Sequence, residues 1–202
     1  AQRIGPRLGV MDAPDGVRKL HKAPTHLVAG LAIMIPATLA TFTYSLVSGW
    51  GPLLMTMSLV SLFFVVLGYI DDRGHIRAFY RLIISALAVA AALWVVPGFT
   101  IRFLSFSSSD QIPPLFLGYF WGLAFSVLCL IGLQNAVNMA DGKNGLVMGM
   151  SLIWTLLLFA YAPSHLDPLL IVLTISLAVA LAFNLTGKVF LGDAGTYGLS
   201  VL

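Results

Sequence analysis

Six uninterrupted apolar runs constrain this chain more than any other feature. They cover about 27–48, 53–70, 78–96, 115–134, 145–162 and 168–184, and a seventh begins near Thr196. At 1.5 Å per residue, a helix of about 20 residues crosses about 30 Å of hydrocarbon. The runs lack the alternation of a lipid-facing barrel strand, so their backbone groups must be satisfied within helices. The expected fold is all-α, a polytopic transmembrane helix bundle with about six spans plus the start of a seventh. Pro36 lies within the first span and predicts a kink there. Composition agrees: 59% of the 202 residues are hydrophobic and 9% charged, against about 25% charged in soluble domains. Mean hydropathy is +0.95.

The net charge of +3 does not point to nucleic acid, because the basic residues lie between apolar runs and not on a soluble surface. Cys129, the single cysteine, lies inside an apolar run and reads as a small core residue, with no disulfide or zinc site. Gly49–Pro52 and Ala162–His165 read as tight turns, and 97–114 as a longer loop with an amphipathic piece at the interface. The N-terminal 24 residues are basic and turn-rich, without the apolar core of a signal peptide. The chain starts without Met and stops inside an apolar stretch, so both ends read as those of a piece of a longer chain.

Lys and Arg set the orientation. Arg3, Arg7, Arg18, Lys19, Lys22, Arg73, Arg77, Arg81, Lys143 and Lys188 fall on one face, and only Arg102 on the other. The positive-inside rule makes the first face cytoplasmic. Four of the eight Asp, namely Asp71, Asp72, Asp141 and Asp193, lie in short loops on that same face, at the ends of apolar helices.

Adjacent Asp71 and Asp72 repel one another, and a divalent cation or a shared proton relieves that cost. Hard oxygen ligands suit Mg²⁺ or Mn²⁺. The plainer alternative is a solvated helix end with Arg73 neutralising one acid. Asn135, Asn138, Asp141 and Asn144 are spaced by three, which on a continuing helix makes one polar stripe. Asp141-Gly142 and Asn144-Gly145 then break the helix. Such a stripe could hold a sugar, a base or a metal-bound phosphate, or could be a polar turn with capping amides. Gly192 and Gly195 permit close backbone approach around Asp193, which stands at a helix entrance, either as an N-cap or as an anion-site acid. Arg77 and Arg81 share a helical face, and Lys143 and Lys188 sit inside the second and third acidic motifs. His21, His26, His75 and His165 have no metal-ligand spacing and read as interfacial or loop residues. Acids and bases together imply a site for a polyanion with a divalent ion.

Four motifs, in order, resemble the polyprenyl-phosphate N-acetylhexosamine-1-phosphate transferases, glycosyl transferase family 4. They are Arg18-Lys19-Leu20-His21, Asp71-Asp72-Arg73, Asn135 to Gly145, and Phe183-Asn184 followed by Val189 to Gly195. The resemblance implies one transmembrane catalytic domain over 1–202, incomplete because the family's first helix, last helices and His-rich cytoplasmic loop are absent. It implies Mg²⁺-dependent transfer of a sugar-1-phosphate from a UDP-sugar to polyprenyl phosphate, with release of UMP. The setting is the cytoplasmic face of the plasma (inner) membrane, in envelope polysaccharide synthesis. Mn²⁺ is admissible in place of Mg²⁺, and a homodimer stays open.

Carried over by motif, Asp193 is the metal ligand, with Asn138 beside it. Asp71 faces the lipid phosphate, Asp72 helps hold the metal or diphosphate, and Asp141 belongs to the same catalytic set. Asn138 and Asn144 fall at the nucleotide-sugar site, Asn184 at uridine, and Lys22, Arg77 and Lys188 at phosphates. Asn144 stands where the family often has a second Asp, and Gly195-Thr196 where Gly-Ser is common. The run Pro24 to Gly30 departs from the family's paired glycines. The middle motif looks closer to the enzymes that start hexosamine lipids than to the muramoyl-pentapeptide enzyme. A transporter is the competing reading, with a non-catalytic scaffold behind it. Against transport, the acids lie at one face and not mid-span.

Overall fold

A computed structural model describes residues 9–12, 25–106 and 113–202. Among these residues the helices are α1 (Ala29–Ser45), α2 (Gly51–Gly74), α3 (Ala78–Val95), α4 (Gly118–Ala140), α5 (Leu146–Tyr161), α6 (Asp167–Leu185) and α7 (Gly192–Val201). Every predicted apolar run is a helix. Four are long and apolar enough to cross a membrane: α2, α3, α4, and α6 together with the 3-10 turn Ser164–Leu166 before it. The other two, α1 and α5, have 17 and 16 residues and reach about 25 Å. Pro36 sits inside α1 without ending it. The chain is a polytopic helical membrane protein.

The helices outrun their apolar runs where polar residues follow. The predicted second span stops at 70, but α2 continues through Asp71 and Asp72 and ends at His75, a left-handed cap with φ 52°. The predicted fourth span stops at 134, but α4 continues to Ala140 and carries Asn135 and Asn138 on helix. The last helix starts at Gly192, not near Thr196. Hydropathy marks where the hydrocarbon ends, whereas a helix continues as long as its carbonyls find N–H partners.

Two compact units divide the chain: residues 1–76 with 134–202, and residues 77–133. In the first, α7 packs on α1 and α2, α1 also packs on α2 and α6, and α6 on α5. Ile33, Met34 and Ala37 of α1, Val65 of α2, and Leu173 and Leu177 of α6 are buried in its core. The short strand β1 (Met11–Asp12) pairs antiparallel with β2 (Thr25–His26). The lead-in to α1 then runs alongside the lead-in to α7: the Phe190 N–H donates to the His26 carbonyl (2.9 Å) and the Gly30 N–H to the Leu191 carbonyl (3.0 Å). A Cβ on Gly30 would lie 2.3 Å from the Gly195 nitrogen, so α1 and α7 touch backbone to backbone.

In the second unit, the predicted loop 97–114 contains a 3-10 turn, Pro97–Phe99, and β3 (Phe103–Leu104) paired antiparallel with β4 (Leu115–Phe116). The Ile101 N–H donates to Ser126 Oγ of α4 at 2.8 Å, and the Arg102 guanidinium lies 5.7 Å from the Tyr119 ring centroid. Cys129 is exposed on α4, not a core residue as expected. The inference from an apolar run to a buried side chain fails in a bilayer, where the outside of the protein is apolar too. Ile153, Trp154 and Phe159 of α5 are exposed for the same reason.

Candidate functional site

The first turn of any helix leaves N–H groups without intrahelical partners. At α7, of the two readings of Asp193, the local N-cap is not the one observed. The N-cap position is Leu191, which contributes no side-chain bond. Two carboxylates from distant segments take the donors. Asp72 accepts the Asp193 N–H on Oδ1 (2.9 Å) and the Ala194 N–H on Oδ2 (3.1 Å). Asp141 accepts the Gly192 N–H. Gly192 turns the chain with φ +73°, and a Cβ there would meet Asp72 Oδ2 at 2.8 Å. One helical turn before Asp72, a Cβ on Gly68 would lie 2.3 Å from the Asp193 carbonyl oxygen. Small residues at these points let α2 meet α7 closely enough for the cap to form.

Capped from outside, α7 leaves the Asp193 side chain for other partners. The Asn138 amide, in the last turn of α4, donates to the Asp193 carboxylate and also to Thr196 Oγ1 (3.2 Å). Thr196 Oγ1 in turn donates to the Asp193 carbonyl at 3.3 Å. The predicted four-residue stripe is therefore split. Asn135 and Asn138 ride on α4, whereas Asp141 lies in the turn after it. Asn144 is exposed further along. Gly145, with φ +83°, opens α5.

Asp72, Asn138, Asp141 and Asp193 are thus brought together from α2, α4, the turn after α4, and α7. Burial, and next the charge of Asp193, push the Asp141 carboxyl up to about 7, and the Gly192 N–H opposes them. Asp193 and Asp71 lie within electrostatic reach of the Asp72 carboxylate. Clustered, partly buried carboxylates repel one another, and a divalent cation relieves that repulsion. Among the described residues no three Asp, Glu, His or Cys side chains form a ready metal cage. The donor set still fits Mg²⁺, which takes one or two carboxylates and fills its remaining positions with phosphate oxygens and water. Asp193 and Asp141 are the acids that would supply them.

Other expected site residues occupy different surroundings. Asp71 is 4% exposed. Its Oδ1 accepts the Ile76 N–H (2.7 Å) and its Oδ2 the Tyr197 hydroxyl (2.6 Å), so the carboxylate is engaged inside the protein. Asn184 is also 4% exposed. Its Oδ1 accepts the Gly145 N–H (2.6 Å) and its Nδ2 donates to the Val189 carbonyl (2.9 Å), which ties the end of α6 to the start of α5 and to the segment before α7. Asn184, which the resemblance assigns to uridine, thus has a backbone partner at each end of its amide. Lys188 is exposed, its Nζ 5.8 Å from the Phe183 ring centroid. Arg73 lies over the Tyr69 ring at 5.8 Å. Arg77 is the exposed residue preceding α3, in the second unit. Lys22 and the Arg18–His21 motif lie outside the described residues. Thr196 and Tyr197 were missed. Their spacing of three and four from Asp193 was visible in the sequence, but their partners on α4 and α2 were not.

The family model for glycosyl transferase family 4 matches residues 54–202. A phospho-N-acetylmuramoyl-pentapeptide-transferase from Synechococcus sp. (strain JA-3-3Ab) is 29% identical over 96% of this chain and 58% of its own length. The same kind of protein from Streptococcus equi subsp. zooepidemicus is 29% identical over 93% of the chain and 60% of its own length. A probable undecaprenyl-phosphate N-acetylglucosaminyl 1-phosphate transferase from Bacillus subtilis (strain 168) is 31% identical over the whole chain and 56% of its own length. The chain therefore spans about three fifths of the length of these curated relatives.

Proposed function

The chain belongs to glycosyl transferase family 4, and from that premise we propose that it is the diphosphate-handling part of a polyprenyl-phosphate sugar-1-phosphate transferase. The donor in this reading is a UDP-sugar, with an N-acetylhexosamine as the sugar. The acceptor is polyprenyl phosphate, and the product feeds envelope polysaccharide synthesis. The single observation that carries it is the convergence of Asp72, Asn138, Asp141 and Asp193 at the start of α7. The ten-to-one distribution of Lys and Arg supports placing this site at the cytoplasmic face of the plasma membrane.

The chemistry is an exchange of phosphoryl partners. An oxygen of the lipid phosphate forms a bond to the β-phosphorus of the UDP-sugar. The bond from that phosphorus to the bridging oxygen breaks, and UMP leaves with that oxygen. Bound Mg²⁺ supplies charge neutralisation at the diphosphate. Asn138 orients the Asp193 carboxylate toward it, and Asp72 and Asp141 hold the α7 entrance in place. Acids at helix ends, not mid-span, suit a soluble co-substrate better than a transport path.

The test uses the full-length protein. UMP release from a panel of UDP-sugars should require both polyprenyl phosphate and Mg²⁺. Release that continues without the lipid phosphate would sink this reading.

A further inference from the structure

We propose that Tyr197 is a positioning residue whose hydroxyl locks α7 against α2 and so fixes where Asp193 stands relative to Asp72, Asn138 and Asp141. The inference rests on the reading of Asp193 as a cation ligand.

Tyr197 is 1% exposed and is the largest fully buried side chain among the described residues. Its hydroxyl donates to Asp71 Oδ2 at 2.6 Å, across 126 positions of sequence. That length lies within the ordinary range of an O–H···O hydrogen bond. Tyr197 lies four residues after Asp193, one turn along the same face of α7. The other Asp71 oxygen accepts the Ile76 N–H just past the end of α2, so the carboxylate is held at that end and cannot follow the phenol. Asp71 and Asp72 therefore grip α7 at two levels. Asp72 takes backbone donors of the first turn, and Asp71 takes a side chain of the second. The Asp72 bonds tie only the first turn, and the Asp71–Tyr197 bond adds a side-chain tie one turn further on, beyond the packing of α7 on α1 and α2. With two, turning or sliding α7 breaks bonds at both levels, and Asp193 keeps its place beside Asn138. The adjacent pair of acids then has a geometric explanation that a lone cap would not need.

The experiment measures Mn²⁺ binding alone, by the free-ion electron paramagnetic resonance signal, on the full-length protein in detergent. Four proteins are compared: wild type, Tyr197→Phe, Asp71→Asn and the double variant. Tyr197→Phe keeps the ring, so the unfolding midpoint should move by only a few degrees while Mn²⁺ binding weakens about tenfold. The double variant should bind no more weakly than Asp71→Asn, because the Tyr197 hydroxyl acts through its bond to Asp71. Unchanged binding by Tyr197→Phe, or losses that add in the double variant, would overturn the proposal. Should Tyr197→Phe fail to assemble, Asp71→Asn is read alone, and binding equal to wild type overturns it. Wild type that binds Mn²⁺ but releases no UMP counts against the transferase reading only. Wild type that releases UMP while Tyr197→Phe binds Mn²⁺ normally counts against the Tyr197 proposal only.

Discussion

Two polar clusters of the first unit lie a few residues apart in sequence and are built on opposite terms. Around Asn184 a neutral amide is buried with an N–H from Gly145 at one end and the Val189 carbonyl at the other. Around the α7 entrance, carboxylates crowd together, and Asp141 is pushed up to about 7 by burial and by its neighbour's charge. The first cluster is electrically neutral and its partners match. The second has its N–H donors satisfied but retains mutual repulsion among its acids. Buried polar groups that are fully paired hold a fold, whereas clustered charges left in conflict mark a place that something else completes. By that criterion the Asn184 contacts brace the fold, and the α7 entrance around Asp193 is the candidate site.

The sharpest way to break this contrast is Asp193→Asn in the full-length protein. UMP release should fall about 10³-fold or more, with membrane insertion and unfolding midpoint preserved. Activity that survives would remove the functional half of the contrast. Asn138→Ala should follow at about 10- to 100-fold loss, seen chiefly as a higher Mg²⁺ requirement in the same assay, because Asp193 loses the amide that orients it.

Asn184→Leu tests the other half. It leaves the Gly145 N–H and the Val189 carbonyl without their amide partner, at about 1–3 kcal/mol for each buried group. The denaturant midpoint should drop clearly, with KM for the UDP-sugar little changed in the protein that remains folded. A raised KM with unchanged stability would reverse the assignment and return Asn184 to the nucleotide.

The smallest effect is on pH. Asp141 moves from 3.8 to about 7 on folding, so the folded chain binds its proton more tightly than the unfolded chain does. The sign follows: stability falls as pH rises from about 4 through about 7. With chelator present, the melting midpoint should be lower at pH 8 than at pH 6 by a few degrees. Mg²⁺ should narrow that gap if a cation occupies the acids, and a gap indifferent to Mg²⁺ would weaken the electrostatic argument.

Sequence alone determined the solvent and the elements. Uniform apolar runs leave a bilayer-spanning chain no option but helices, and each run is one. Asp72, Asp141 and Asp193 were also legible as a set, because acids confined to the ends of apolar helices stand out against a chain that is 9% charged. Their division of labour was not legible. Nothing local distinguishes Asp193, which leaves its own helix uncapped, from Asp72, which caps that helix across 121 positions. Nor does it distinguish Asn138, turned toward Asp193, from Asn184, closed on backbone. Those choices were made by Gly68, Gly192 and the Gly30–Gly195 contact, which let α1, α2 and α7 approach until backbone meets side chain. A hydrogen bond needs its partners within about 3 Å, and in this chain that distance is set by which helices pack together.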